Sequence, residues 1–232
     1  MNEKGGEKMK KVLFGILALS TLAFSSEQGT SYVNLRLGLD AGSQYSPVST
    51  HDDVDEFALG SETDGTGYEI AAEILYPSNE RLDFGVGIAF QDHAKRDSQT
   101  LDTSWGDDGT YEGLDYQSVP VYFTAQYKLS ENSKFNPYLK ANFGYSFNVN
   151  EQNIESPSGD GYTSDDSHVD IKNGLYYAFG VGAEYENFTV DLMYAVNRAT
   201  AEVENGVTMY DLDVDADYER WVLAFGYKFD LK

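Results

Sequence analysis

Leu82, Phe84, Val86, Ile88 and Phe90 alternate with Asp83, Gly85, Gly87, Ala89 and Gln91 over ten residues. Successive side chains of an extended chain point to opposite sides, so this segment has one apolar face and one small or polar face. The pattern recurs in seven other segments, at 33–40, 68–76, 118–127, 138–147, 175–185, 188–197 and 220–229, with Leu75 and Val222 interrupting the polar sets. Each run is close to the 9–11 residues, roughly, that a tilted strand needs to cross a bilayer. Long polar stretches at 42–66, 92–115, 149–173 and 199–217 alternate with short turns at 77–80, 130–136 and 186–187. Short turns at one end, long loops at the other and both termini on the short side predict an all-β fold. It is an eight-stranded antiparallel up-and-down transmembrane β-barrel, with four long extracellular loops and three short periplasmic turns.

A water-soluble eight-stranded barrel alternates as well, but it turns its apolar face inward and shows a charged, bulky face to solvent. Here the polar face is rich in Gly85, Gly87, Ala89, Gly180, Gly182, Ala224 and Gly226. Small side chains suit a crowded lumen and serve a solvated surface poorly. The apolar face also ends in aromatic residues: Tyr145, Tyr177, Tyr194 and Trp221 toward the long loops, Tyr76, Tyr127, Tyr185 and Phe229 toward the short turns. Two such rings are the interfacial girdles of a membrane barrel, so the apolar face is expected to meet lipid.

Lys4, Lys8, Lys10 and Lys11 precede an apolar run from Val12 to Phe24 that ends in Ala23-Phe24-Ser25-Ser26. A basic segment, a short apolar segment and a small-residue cleavage site predict a signal peptide over 1–25, with Met9 an alternative start, and a barrel domain over 26–232. There is no cysteine, so neither disulfides nor a cysteine-linked lipid hold the chain. The formal charge of −23 argues against a nucleic-acid partner, which requires a basic face.

The last segment, Ala224-Phe225-Gly226-Tyr227-Lys228-Phe229, carries the most specific resemblance in the chain. With the eight-strand layout it resembles the small outer-membrane barrels of the OmpA transmembrane domain, OmpX and Ail type, a porin-like family. In that family a terminal strand with Gly226, Tyr227 and Phe229 in these places is read by the barrel-assembly machinery. Asp230-Leu231-Lys232 follow, whereas the family usually ends on the aromatic residue. The resemblance implies a monomer in the bacterial outer membrane, in contact with lipid and lipopolysaccharide, with both termini periplasmic.

The lumen-facing set contains Arg36, Glu69, Glu73, Asp83, Lys140, Glu184, Asp191 and Lys228. Buried charges must pair, which predicts an ionic plug; a gated, cation-preferring path is the alternative. The long loops hold 25 of the 39 acidic residues against Lys95, Arg96 and Lys172. Such a surface suits repulsion of neighbours, or contact with divalent cations or an extracellular partner. Asp211, Asp213, Asp215 and Asp217 do not form a calcium loop, because Ala216 and Val222 stand where glycine and glutamate are needed, and no metal or cofactor site is assigned. The last loop carries Asn205-Gly206 between strand-like runs and predicts a projecting two-stranded ribbon whose edges could recruit a partner strand. His51, His93 and His168 all fall in long loops; pairing His51 with Asp97-Ser98 as a lipid A acyltransferase lacks a positioned triad. A deacylase would need a His-x-Ser pair on a lipid-facing strand, and none occurs. The sequence therefore reads as non-catalytic, with a role in envelope integrity or surface contact.

Overall fold

The computed structural model describes residues 30–52, 55–59, 61–97, 99–101, 109–111, 116–130, 134–149, 151–154, 167–204 and 212–231. The leader over 1–25 and the Asn205-Gly206 turn lie outside these residues. Eight long strands form the body: β1 (Tyr32–Tyr45), β2 (Tyr68–Pro77), β3 (Leu82–Asp92), β4 (Gln117–Lys128), β5 (Phe135–Asn148), β6 (Gly174–Tyr185), β7 (Phe188–Asn197) and β8 (Tyr218–Asp230). Each pairs antiparallel with its sequence neighbours, and β8 pairs back onto β1, which closes the barrel. Among the described residues no helix is long and apolar enough to span a membrane; the crossing elements are strands.

The turns follow from local chemistry. Asn79 accepts the backbone N–H groups of Arg81 and Leu82 on its side-chain oxygen, both at 2.9 Å, fixing the β2–β3 connection. Glu186 takes a φ of 55°, the left-handed conformation that a tight two-residue β6–β7 hairpin demands. Lumen-face glycines let strands crowd together. A Cβ on Gly85 would lie 1.8 Å from the carbonyl oxygen of Ile74, and one on Gly180 2.0 Å from that of Leu192.

Burial settles which face is outside. Asn34, Glu73, Asp83 and Asp191 have no exposed surface, whereas Phe123 is 65% exposed and Phe225 60%. The polarity is reversed relative to a water-soluble protein, and such a wall is stable only against hydrocarbon. Leu75 and Val222, the interruptions in the polar sets, are buried inside the lumen.

The long-loop end departs from expectation. Thr200–Glu204 does pair with Leu212–Asp215, as a ribbon should. However, Ser167–Lys172 pairs along the other edge of Thr200–Glu204, and Glu151–Ile154 pairs with Ser167–Lys172 in turn. The result is a four-stranded sheet in the same order as β5–β8, so half of the barrel wall continues beyond the membrane strands. The expected free edge of Thr200–Glu204 is therefore occupied, because the third and fourth loops both grow from adjacent strands and their backbone groups satisfy one another. Ala199, Ala201 and Ala216, which share parity with the lumen face, are buried with Tyr45, Ala94, Tyr116, Ile171 and Tyr218 in an apolar cluster at this end.

Candidate functional site: a charged plug beneath a tyrosine layer

The alternation that makes the wall also aims every second side chain of eight strands at one axis. Four charged groups from four strands meet there. Arg36 of β1 approaches Glu73 of β2 at 2.9 Å and Asp191 of β7 at 2.8 Å; Lys140 of β5 approaches Glu73 at 2.7 Å and Asp191 at 3.7 Å. Both cations share both carboxylates, so the group is neutral and doubly linked. Tyr122 donates to Glu73 at 3.0 Å and Tyr138 to Asp191 at 2.7 Å, supplying acceptor needs the cations leave open. All four charges are buried, and only such mutual pairing offsets desolvation penalties of several kcal/mol per ion, roughly.

Two further ionic groups flank this centre. Toward the long loops, Arg220 of β8 reaches Glu69 of β2 at 2.9 Å and Asp40 of β1 at 3.3 Å, while Gln91 donates to Glu69 at 2.7 Å. Toward the short turns, Asp83 accepts Tyr32 at 2.7 Å and pairs with Lys128 at 2.9 Å. Lys228 pairs with Glu184 at 2.7 Å with its ammonium 4.0 Å from the Tyr32 ring centroid. All eight sequence-predicted lumen charges thus point inward. Arg36, Glu73, Lys140 and Asp191 form the centre, Glu69 links it to Arg220 through a 3.8 Å approach to Arg36, and Asp83, Glu184 and Lys228 lie apart from it. Arg220, Asp40 and Lys128 were absent from the predicted set. Parity already places Arg220 and Asp40 on the polar face, and only their mutual height escapes the sequence.

The expected girdle residues lie on the outer wall. Tyr127, Tyr145, Tyr185 and Trp221 are exposed, and Tyr76, Tyr177 and Tyr194 are half-buried. Tyr194 stands between Phe179 at 5.5 Å and Trp221 at 5.4 Å, forming a continuous aromatic band across β6–β8. In the terminal strand Gly226 faces inward opposite Arg36, while Tyr227 and Phe229 face outward with rings 4.7 Å apart.

Above Arg220 the lumen is lined by uncharged polar groups and then by a buried aromatic layer. Asn197 donates to Gln91, Ser118 and Ser146 at 2.8, 3.1 and 3.1 Å, tying β7 to β3, β4 and β5. His93, expected in a loop, is buried just past β3 with its Nε2 3.0 Å from the Ser118 hydroxyl. Its ring lies between Tyr116 at 4.4 Å and Tyr218 at 4.3 Å. Tyr45 packs on both tyrosines, and Arg96 lies 4.8 Å over the Tyr45 ring. The three hydroxyls bind three places: Tyr45 donates to the Ala94 carbonyl, Tyr116 to the Ala216 carbonyl and Tyr218 to Asp40. Asp217, one of the four loop aspartates, is engaged by Arg198 and by the Ala199 N–H. Among the described residues no group of histidines and carboxylates could hold a metal ion.

A closed barrel with lipid-facing aromatics outside and paired charges inside is a transmembrane β-barrel of the bacterial outer membrane. The chain belongs to the outer membrane protein beta-barrel domain family, whose profile matches residues 12–229. It is 23% identical over 205 residues to the uncharacterized protein PM1543 of Pasteurella multocida (strain Pm70), covering 81% of this chain and 85% of that one. Among solved structures it is similar to the outer membrane protein OprG from Pseudomonas aeruginosa, with a TM-score of 0.54 and 15% identity over 89% of this chain and 99% of that one. Neisserial surface protein A is also similar, with a TM-score of 0.42 and 17% identity over 86% of this chain and 97% of that one. The likeness to OprG is one of fold.

Proposed function

We propose that this protein is a non-catalytic, non-conducting anchor that displays an acidic surface at the cell exterior, serving envelope integrity or surface contact. The observation that carries the reading is the lumen itself: Arg36, Glu73, Lys140 and Asp191 occupy its centre as a neutral, mutually bonded group. Eight strands leave room mainly for side chains, and here those side chains bind one another. The long loops then face outward and both termini the periplasm, with the leader over 1–25 removed on export. The carboxylates of those loops have the hard oxygen donors that suit bridging divalent cations at an anionic lipopolysaccharide surface. Assembly through the terminal strand would use Gly226, Tyr227 and Phe229. Ser118 and His93, the one serine–histidine contact met in the lumen among the described residues, are both buried beneath the tyrosine layer, which favours a structural role for the pair.

Planar-bilayer recording of the purified protein tests this reading, and silence is expected. A narrow cation-preferring pore is the second reading, favoured by the way Arg36 and Lys140 share both carboxylates, since partner exchange would move charge along the axis. Steady cation-selective steps would establish the pore and refute the plug. Deletion of 200–215 should reduce binding to cells or matrix; unchanged binding would remove surface contact from the proposal. Unaltered lipid A masses with and without expression are expected of a barrel that does no acyl chemistry.

A further inference from the structure

His93 stands where the lumen network ends and the apolar cap begins. It is 5% exposed, and its direct neighbours come from β4 and β8. From β4 come the Ser118 hydroxyl and, just before that strand, Tyr116. From β8 come the Tyr218 ring and the Arg220 charge. Asp40 and Tyr45 of β1 lie behind Tyr218, and the uncharged Gln91, Asn197 and Ser146 lie behind Ser118 in one hydrogen-bonded group. Among the described residues the carboxylates near this layer are committed elsewhere, Glu69 to Arg220 and Gln91. Asp40 accepts Arg220 and the Tyr218 hydroxyl; Asp217 accepts Arg198 and the Ala199 N–H. Arg96 adds a second cation beyond Tyr45.

Among the described residues the imidazole has one hydrogen-bond partner, the Ser118 hydroxyl at Nε2. Its Nδ1 is buried without a partner among the described residues. A neutral ring tolerates this in either tautomer. A protonated ring carries N–H groups on both nitrogens, so it places a new buried donor against nothing and a positive charge beside Arg220. The neighbouring tyrosine rings return some attraction to a cation, but they supply no acceptor for the new N–H and no counter-charge. Burial first, and the Arg220 charge second, hold the imidazole well below its ordinary range.

We infer that His93 is an acid-sensitive latch, whose protonation drives it from beneath Tyr116 and Tyr218 and frees the long-loop end of the barrel from its cap. The route is short, because the same rings hold the loops. Tyr218 also receives the Ala94 N–H at 3.0 Å, Tyr45 donates to the Ala94 carbonyl, and Tyr116 donates to the Ala216 carbonyl. Displacing His93 removes the ring that Tyr116 and Tyr218 share, so the backbone at Ala94 and at Ala216 is released together. The sign follows from linkage. The opened ring binds a proton near its ordinary pKa of about 6.5 and the closed ring does not, so the closed form loses stability as pH falls below that value. One proton permits at most about a tenfold rise in the opening constant per pH unit, or about 30-fold between pH 7.5 and 5.

Amide hydrogen exchange by mass spectrometry on the full protein in lipid nanodiscs reads this opening through peptides containing Ala94 and Ala216. After correction for intrinsic rates, exchange there should accelerate about 30-fold between pH 7.5 and 5, while peptides of β4–β6 hold steady. His93→Gln keeps a hydrogen-bonding partner for Ser118 and cannot take up the proton, so its exchange should be flat with pH. No acceleration in the parent down to pH 4.5 would overturn the latch, and so would equal acceleration in His93→Gln, which would point to carboxylates. Should His93→Gln be open at every pH, imidazole NMR of the parent decides the matter. Coincidence of the His93 titration with opening supports the latch, and separated midpoints overturn it.

Discussion

Arg36→Met removes the guanidinium from the centre of the plug and keeps most of the side chain's length. Three carboxylates lie near that guanidinium, but they do not suffer equally. Glu73 keeps Lys140 at 2.7 Å and the Tyr122 hydroxyl at 3.0 Å. Glu69, 3.8 Å from Arg36, keeps Arg220 at 2.9 Å and Gln91 at 2.7 Å. Asp191 is left with the Tyr138 hydroxyl at 2.7 Å and a distant Lys140 at 3.7 Å. The loss is therefore that of one uncompensated buried carboxylate, about 3–5 kcal/mol, rather than three. It follows that Asp191→Asn in the same chain should restore most of the stability, because the second change removes the stranded charge. The double variant should sit within about 1–2 kcal/mol of the parent, with a coupling energy of at least about 2–3 kcal/mol, larger by whatever Asp191→Asn costs alone. Urea unfolding in lipid vesicles, followed by tryptophan fluorescence and by the mobility of unheated samples on gels, measures all four corners of the cycle. A single Arg36→Met variant within 1 kcal/mol of the parent, roughly, would refute the plug as a stabilised ionic unit. So would a double variant as damaged as the sum of its parts.

Phe123, 65% exposed midway along β4, should cost about 2–4 kcal/mol when changed to Lys, measured in vesicles; a negligible cost would contradict the lipid-facing assignment. Gly85→Ala should destabilise the β2–β3 pair by about 1–3 kcal/mol, because its new methyl group meets the Ile74 carbonyl; normal refolding yield and urea midpoint would argue otherwise. Arg198→Ala and Arg220→Met make a contrasting pair. The Arg198 side chain is 57% exposed and its loss should cost under about 1 kcal/mol, whereas Arg220, fully buried against Asp40 and Glu69, should cost about 3–5 kcal/mol in the same assay.

Period-two alternation is a local property, and each of the eight strands can be read from its own ten residues. The bilayer fixes strand length and the turns fix connectivity, so the barrel itself is legible. The plug is half legible. Parity says that Arg36, Arg220 and Asp40 face inward, but which charges share a height depends on the stagger between strands far apart in sequence. Arg220 and Asp40 meet across 180 residues, a distance that no local pattern encodes. The loop sheet escapes for a related reason. Thr200–Glu204 is one side of a hairpin, as its sequence suggests, but its pairing with Ser167–Lys172 links two loops with no shared turn. His93 looks like a loop residue because its neighbours are polar; the tyrosines that enclose it come from 116 and 218.

The β1–β8 seam bears on how such a chain comes into being. Every other wall ladder joins strands adjacent in sequence, so each can form locally behind its own connection. The seam runs from Tyr32–Asp230 to Tyr45–Tyr218 and joins the two ends of the domain, the longest loop closure in the barrel. Arg220 and Asp40 face each other from its two sides, and the Arg36 backbone pairs across it with Gly226. Until that last ladder zips, the charged face has an open flank toward hydrocarbon. Closing the wall and drying the charges are thus one event, and a barrel stalled one ladder short would be the least tolerable species on its path.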